Sequence, residues 1–299
     1  MSEWTGKTRG GIAGYKSFVF LLKYFGISTA YFFLRFVVLY FLIFSPTAVK
    51  ASYYFLNKRL RFSSLKSSRY ISRTFYKLGQ VLIDKIAFLS GLNKNYTFDF
   101  DGEEHLREMA EKTGGVLIGV HAGSWEIAGH LLERLNTTVN IVMFANEHEK
   151  IANFLSEMYK DKNVKFITIG NDDYSHLFRI SEALKNREIV AIHGDRFLPG
   201  SNTITKEFFN KQAKFPVGPF LIPLKYNVPV SFVMAMKETS KHYHFYATPP
   251  KKFGTPKNPA DRKRLVNLML EEYISNLEKV LLKYPDQWFN FYDFWQKKK

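Results

Sequence analysis

The chain of 299 residues is long enough for one large or two small cored domains. With no cysteine it can form no disulfide, thiolate metal site or cysteine nucleophile, which fits a reducing compartment. Its net charge of +16 is unevenly spread: residues 1–80 hold 13 Lys or Arg and one acidic residue, Glu3, so they carry +12 and leave +4 for the rest.

That basic quarter is also crowded with aromatic residues. Residues 24–45, YFGISTAYFFLRFVVLYFLIFS, are 22 residues with one charge, Arg35. As a helix they are long enough to cross a hydrocarbon core of roughly 30 Å. Lys7, Arg9, Lys16 and Lys23 precede the segment and Lys50, Lys58, Arg59 and Arg61 follow it, so the positive-inside rule favours neither orientation. A helix lying in, or dipping into, an anionic cytoplasmic leaflet fits this collar better than a clean single span. The competing reading, a buried helix of a soluble protein, needs no collar. Polar and basic residues interrupt the N-terminus too early for a secretory signal. Nucleic acid is not expected as a partner, because the cations flank an apolar segment and no recognition motif accompanies them.

Residues 55–92 read as one or two amphipathic helices, with Tyr76, Leu78, Val81, Leu82, Ile86 and Leu89 as an apolar packing stripe. YTFDFDG (96–102) alternates like a strand and ends in a turn, and 103–114 is a short helix with acidic residues in its first turn. Strand and helix then alternate: GVLIGV (115–120) and helix 126–135, VNIVMF (139–144) and helix 148–160, VKFITI (164–169) and helix 173–186. EIVAIH (188–193) is a strand running into a long loop, and 215–227 begins as a turn and becomes a helix. Strands at 229–237 and 243–250 and a long helix at 261–284 complete the chain. This order predicts an α/β fold: a mainly parallel central sheet flanked by helices, with the site at the carboxyl ends of its strands. Residues 1–92 are expected to form basic, aromatic-rich membrane-associating helices and 93–299 the α/β domain.

Three segments carry candidate chemistry. In HAGSWE (121–126), His121 follows the last apolar residue of its strand and Glu126 opens the next helix. A carboxylate there can take the proton on one imidazole nitrogen and leave the other facing a substrate, the arrangement of an oriented general base. The spacing alone fits equally a helix-capping glutamate beside an exposed histidine. In HGDRFLPGS (193–201), Arg196 suits bidentate binding of a phosphate or carboxylate; Asp195 would orient it or hold an acceptor, the plain alternative being a structural ion pair. FFNKQAKFPVGPFLIPL (208–224) places Lys211 and Lys214 before a Phe-Pro-Val-Gly-Pro turn at a helix start, where backbone N–H groups offer an anion or oxyanion site and Gly218 permits close approach. An ordinary capping turn is the alternative. Ser124 lies in AGSWE, which lacks the second glycine of a nucleophile elbow, so a serine hydrolase is disfavoured.

HAGSWE, HGDRF, FFNKQAKFPVGP and the late YPDQWFNF (284–291) occur in the order and at the distances of the late acyltransferases of lipid A biosynthesis. These belong to the lysophospholipid acyltransferase-like superfamily, and the resemblance covers roughly residues 1–295. Its core is a His-x4-acid motif, here with Glu in place of the Asp of glycerolipid members. The resemblance implies transfer of a fatty acyl chain from acyl carrier protein, or less often acyl-CoA, to a hydroxyl of a membrane lipid at the cytoplasmic face of the bacterial inner membrane. It makes His121 the general base and Glu126 its partner. Ser124, Trp125, Asp195, Arg196, Lys214, Phe215 and Gly218 become the substrate-binding positions. No cofactor or metal is expected, since a thioester already carries the activation. One departure concerns the acceptor: where family members carry basic residues after the second strand, this chain has MFANEHEKI (143–151). A less anionic acceptor is then implied, such as an aminoacyl lipid, a glycolipid without phosphate or a polyene pigment. A catalytically silent lipid-binding protein of the same fold is the reading from another class, and the intact His-x4-Glu and Asp-Arg pairs speak against it.

Overall fold

A computed structural model describes residues 12–89, 91–93, 95–124, 127, 135–144, 163–170, 175–198 and 200–295. Seven strands form one sheet in the order β1-β9-β8-β2-β5-β3-β4: β1 (Thr97–Asp101), β2 (Gly115–Gly119), β3 (Val139–Phe144), β4 (Val164–Ile169), β5 (Ile189–His193), β8 (Val230–Lys237) and β9 (His242–Ala247). β8 and β9 are antiparallel and the other neighbours run parallel, which is the mainly parallel architecture the alternation predicts. GVLIG of β2 is buried throughout because the strand sits centrally, between β8 and β5, with both faces covered. Val116 and Ile118 pack in one cluster with Phe220 and Tyr273, carried by α6 (Gly218–Tyr226) and α7 (Pro259–Lys283). Leu117 turns to the opposite face, toward Leu106 and Met109 of α4 (Glu103–Lys112). Helix α5 (Ser175–Lys185) follows β4, and α7 starts where Asn258 accepts the Asp261 N–H at 2.8 Å, with Pro259 in its first turn. The helices expected at 126–135 and 148–160 lie almost wholly outside the described residues.

The segment read as loop and turn between β5 and α6 is instead a two-stranded hairpin, β6 (Thr203–Phe208) and β7 (Lys211–Pro216). Its two-residue loop, Phe209 (φ 48°) and Asn210 (φ 58°), has both residues at positive φ, as a tight hairpin of the favoured twist requires. Phenylalanine is a poor signal for that conformation, so the turn is hard to see in the sequence.

At the N-terminus α1 (Ile12–Phe44) begins earlier than the apolar run and contains a non-helical residue, Gly26 (φ 77°, ψ 174°). The stretch Ser17–Phe44 is long and apolar enough to cross a membrane by length and composition. One side buries Ala30, Leu34 and Val38; the other exposes Phe20, Phe25, Phe32, Phe33, Phe36 and Phe44. After α2 (Pro46–Tyr53) and a π-helical turn (Tyr54–Arg59), α3 (Ser64–Leu89) packs against α1. The predicted α3 stripe needs a correction. Val81 and Ile86 are buried, but Leu82 is 49% exposed, and Ile71, Phe75, Ile83, Ala87 and Phe88 are buried as well. A helix gripped from two sides does not show one clean stripe.

One buried polar cluster joins the N-terminal helices to the sheet. Asp84 of α3 accepts from the Tyr31 hydroxyl of α1, from Tyr96 at 2.7 Å, from Tyr243 of β9 and from the ammonium of Lys237 at the end of β8. Lys237 also donates to the Ser240 carbonyl at 2.6 Å, and both charged side chains are fully buried. Burial pulls the Lys237 ammonium down to about 8 against the opposing pull of Asp84.

Candidate active site

The last residues of β2 and β5, Gly119 and His193, are paired in register, so whatever follows the two strands emerges side by side. His121 lies two residues beyond Gly119 and Asp195 two beyond His193. Asp195 accepts the His121 backbone N–H at 3.2 and 3.3 Å through its two oxygens, and its Oδ1 lies 2.7 Å from the His121 Nδ1. Asp195 is buried, whereas 16% of the His121 side chain remains exposed. Burial opposes the Asp195 charge, but the adjoining His121, the hydrogen bond to it and Arg196 outweigh that and hold the carboxyl well below the usual range. An ionised carboxylate on Nδ1 fixes the proton there and leaves Nε2 as the acceptor. On the sequence Glu126 is the expected partner of the imidazole, with Asp195 orienting Arg196 or holding the acceptor; among the described residues Asp195 is the carboxylate on Nδ1. Glu126 and Trp125 lie outside the described residues.

The loop reaches Asp195 through Gly194, where a Cβ would lie 2.8 Å from Ile118 and 3.0 Å from the Tyr273 ring. The His121 turn is as tightly placed. Gly123 has φ 64°, and a Cβ there would lie 1.8 Å from the Ala235 carbonyl of β8. Ser124 donates its N–H to that carbonyl at 2.8 Å, the Gly123 N–H goes to Gln287 O at 2.9 Å, and Phe289 N–H donates to His121 O at 3.1 Å. The Ser124 hydroxyl is buried and has no hydrogen-bond partner among the described residues.

The His193 ring stacks against His121 at 4.2 Å between centroids. Burial, then the neighbouring His121, lower its pKa to about 3, so it stays neutral in the working range. Unfolded chains take up this proton near pH 6.5, and the native state declines it until about 3, so native stability falls with pH across that window. His193→Gln should therefore flatten the decline in melting temperature between pH 6.5 and 4; an unchanged slope would show that His193 does not carry it.

His121, His193 and Asp195 bring three ligand-type atoms within 4.8 Å of one another. The 2.7 Å between Nδ1 and Oδ1 is a hydrogen-bond length. Two ligands of a tetrahedral zinc, each 2.0–2.1 Å from the ion, lie about 3.3 Å apart. The trio is built as a hydrogen-bonded dyad with a stacked neighbour, and its geometry does not fit a metal without rearrangement.

The remaining sequence candidates fall into two groups. Arg196 joins the site but spends Nη2 on the Phe289 carbonyl at 2.8 Å. Lys214, Phe215 and Gly218 belong to the hairpin and the start of α6. Phe215 is fully buried between Phe208 and Phe294, and Lys214 is exposed opposite Thr205. Among the described residues no hydrogen bond, ion pair or ring contact joins these three to His121. The helix start also has few donors to offer: Val217 N–H is held by Asn202 O, Phe220 and Leu221 bond Val217 O, and Pro219 has no N–H. Sequence reasoning missed His193, Gln287 and Tyr273, whose hydroxyl donates to Gly119 O at 3.0 Å. A histidine ending a buried strand was the available signal for the first. Beside the dyad an apolar cavity of about 100 Å³ opens, lined by Leu117, Gly119, Ala191, His193, Val233 and Ala247 among others.

Comparison with known proteins bears on this site. Among solved structures the chain is similar to the 1-acyl-sn-glycerophosphate (LPA) acyltransferase PlsC from Thermotoga maritima, at 14% identity and a TM-score of 0.38, over 83% of this chain and 97% of that one. No curated protein matches the chain. The family model described as bacterial lipid A biosynthesis acyltransferase matches residues 66–297, a span that holds His121, Asp195 and the late YPDQWFNF, and the chain belongs to that acyltransferase family.

Proposed function

We propose that this protein is a membrane-associated O-acyltransferase that moves a fatty acyl chain from an acyl carrier protein thioester to a hydroxyl of a bacterial lipid, lipid A or a relative of it. The observation that carries the reading is the His121–Asp195 pair at the carboxyl end of β2. The acceptor O–H gives its proton to His121 Nε2 as its oxygen attacks the thioester carbonyl, and Asp195 stabilises the imidazolium that forms. The tetrahedral intermediate then expels the thiolate, which takes the proton from Nε2, and an ester replaces the thioester. The buried Ser124 hydroxyl, without a hydrogen-bond partner among the described residues, is a candidate to meet the donor. The apolar cavity beside His193 would take the start of the acyl chain. Neither a metal nor a cofactor enters these steps. An acidic carrier protein would be drawn to a chain of this net charge.

The aromatic face of α1 supports seating on the cytoplasmic face of the inner membrane, with residues 1–92 as the membrane-associating unit and 93–299 as the catalytic one. The unbroken helix after Gly26, Ile27 to Phe44, spans about 27 Å, somewhat short of a hydrocarbon core of roughly 30 Å. Its exposed phenylalanines and flanking cations suit an in-plane or shallow pose. The acceptor's charge is set by the segment MFANEHEKI, of which residues from 145 onward lie outside the described ones; its acidic and amide residues favour a weakly anionic acceptor.

The test is mass spectrometry of products from the purified chain given acyl carrier protein thioesters and total bacterial lipid, beside His121→Ala and Glu126→Gln. A new ester on one lipid class, absent with His121→Ala, is the expected result and names the acceptor. The Glu126 variant shows whether a second carboxylate assists Asp195. No product from any donor, together with a co-purifying lipid, would favour a binding protein.

A further inference from the structure

The segment YPDQWFNF follows α7 and folds back over the carboxyl end of β2. Gln287 is 1% exposed, and its amide pairs with both backbone groups of one residue: Oε1 accepts the Lys237 N–H at 2.8 Å and Nε2 donates to Lys237 O at 2.8 Å. Its own carbonyl accepts the Gly123 N–H at 2.9 Å. Trp288 forms an antiparallel bridge with Ala122, and Phe289 donates to His121 O and accepts from Arg196. The residue that Gln287 grips is anchored in turn, because the Lys237 side chain ends in the buried Asp84 cluster.

The catalytic turn is thus held on three sides. Asp195 takes the His121 N–H, Ala235 of β8 takes the Ser124 N–H, and residues 287–289 hold the His121 carbonyl and the Gly123 N–H. The first two are fixed by the sheet and by the loop after β5. Among the described residues two side chains tie the third down, Arg196 at the Phe289 carbonyl and Gln287 at the end of β8. An apolar side chain of the same length would leave the Lys237 N–H and C=O without these partners and let the strap drift, and the His121 backbone with it.

We propose that Gln287 is a positioning residue for the general base: by clasping the Lys237 backbone N–H and C=O it sets where the strap 287–289 holds His121. This rests on the reading of His121 as the base. Gln287 touches no reacting atom, so its loss alters turnover rather than binding of the donor. A displacement of about 1 Å of a catalytic group can cost on the order of 10²-fold.

The experiment compares Gln287→Met, which removes both amide bonds at constant length, with Gln287→Glu, which keeps the acceptor for Lys237 N–H, in the full-length chain. For Gln287→Met, kcat should fall roughly 10- to 100-fold with the donor KM within about 3-fold of wild type. Gln287→Glu should recover part of that loss. A folded Gln287→Met with kcat within about 3-fold of wild type overturns the proposal, as does an equal loss through KM. Should the methionine variant fail to fold, Gln287→Glu decides, and wild-type kcat in it overturns the proposal. If the wild-type chain transfers acyl groups from no thioester, it is the acyl-transfer reading that fails. The ¹⁵N resonances of the His121 imidazole then decide the positioning role: a changed Nδ1–H signal in Gln287→Met supports it, and an unchanged one overturns it.

Discussion

His121→Ala is expected to lower turnover by roughly 10²- to 10⁴-fold, the usual contribution of a placed general base, with binding to lipid vesicles unchanged. Asp195→Asn should cost nearly as much. The carboxylate accepts both the backbone N–H and the Nδ1–H of His121, and an amide at that position can offer Nδ1 a donor in their place. The imidazole then carries its proton on Nε2 and cannot take one from the acceptor hydroxyl. In serine-protease triads the same Asp→Asn change drops kcat by about 10⁴-fold, which sets the scale. Because the two side chains act as one unit, the double variant should be little worse than His121→Ala alone. Single-turnover rates with a defined thioester measure all three. An Asp195→Asn enzyme retaining a third of wild-type activity would return the role of partner to Glu126.

The largest expected stability effect lies far from the chemistry, in the Asp84 cluster. Lys237→Met removes the only cation in contact with Asp84 among the described residues and leaves a fully buried carboxylate with three tyrosine hydroxyls. Removing one partner of a buried pair typically costs about 3–5 kcal/mol, because the charge left behind can neither be solvated nor neutralised cheaply. Against a total native stability of 5–15 kcal/mol for an ordinary domain, that is a large fraction. Asp84→Asn should be comparably harmful, and the double variant less harmful than the two losses added. Denaturant midpoints in detergent measure the cycle; a Lys237→Met loss below about 1 kcal/mol would mean that water reaches the cluster.

How much of this was legible beforehand depends on range along the chain. GVLIGV followed by His121 reads as a buried strand ending at the site, because that signal is local. The expectation of Glu126 as partner rests on a spacing of five residues, whereas the carboxylate found on Nδ1, Asp195, is 74 residues away. Only the adjacency of β2 and β5, with Gly119 opposite His193, brings that distant carboxylate to the imidazole. The β6–β7 hairpin was missed since Phe209 at positive φ sends no turn signal. On α3, Leu82 of the expected stripe is exposed and Ile83, which the stripe did not include, is buried, because the helix is gripped by α1 and by the Asp84 cluster at once. The cluster itself assembles residues from 31, 84, 96, 237 and 243, a set without any local pattern.

That same cluster decides how the protein can be handled. Tyr31 sits on α1, so the aromatic helix is not a leash that can be trimmed to obtain a soluble enzyme. Cutting the chain after Phe44 would remove one of the tyrosine hydroxyls on Asp84, strip the cover from the α3 residues that α1 packs against, and loosen the strand end that Gln287 clasps. In manufacturing terms, the hydrophobic segment is a structural member of the catalytic body, and solubility has to be engineered on its exposed phenylalanines rather than by deleting it.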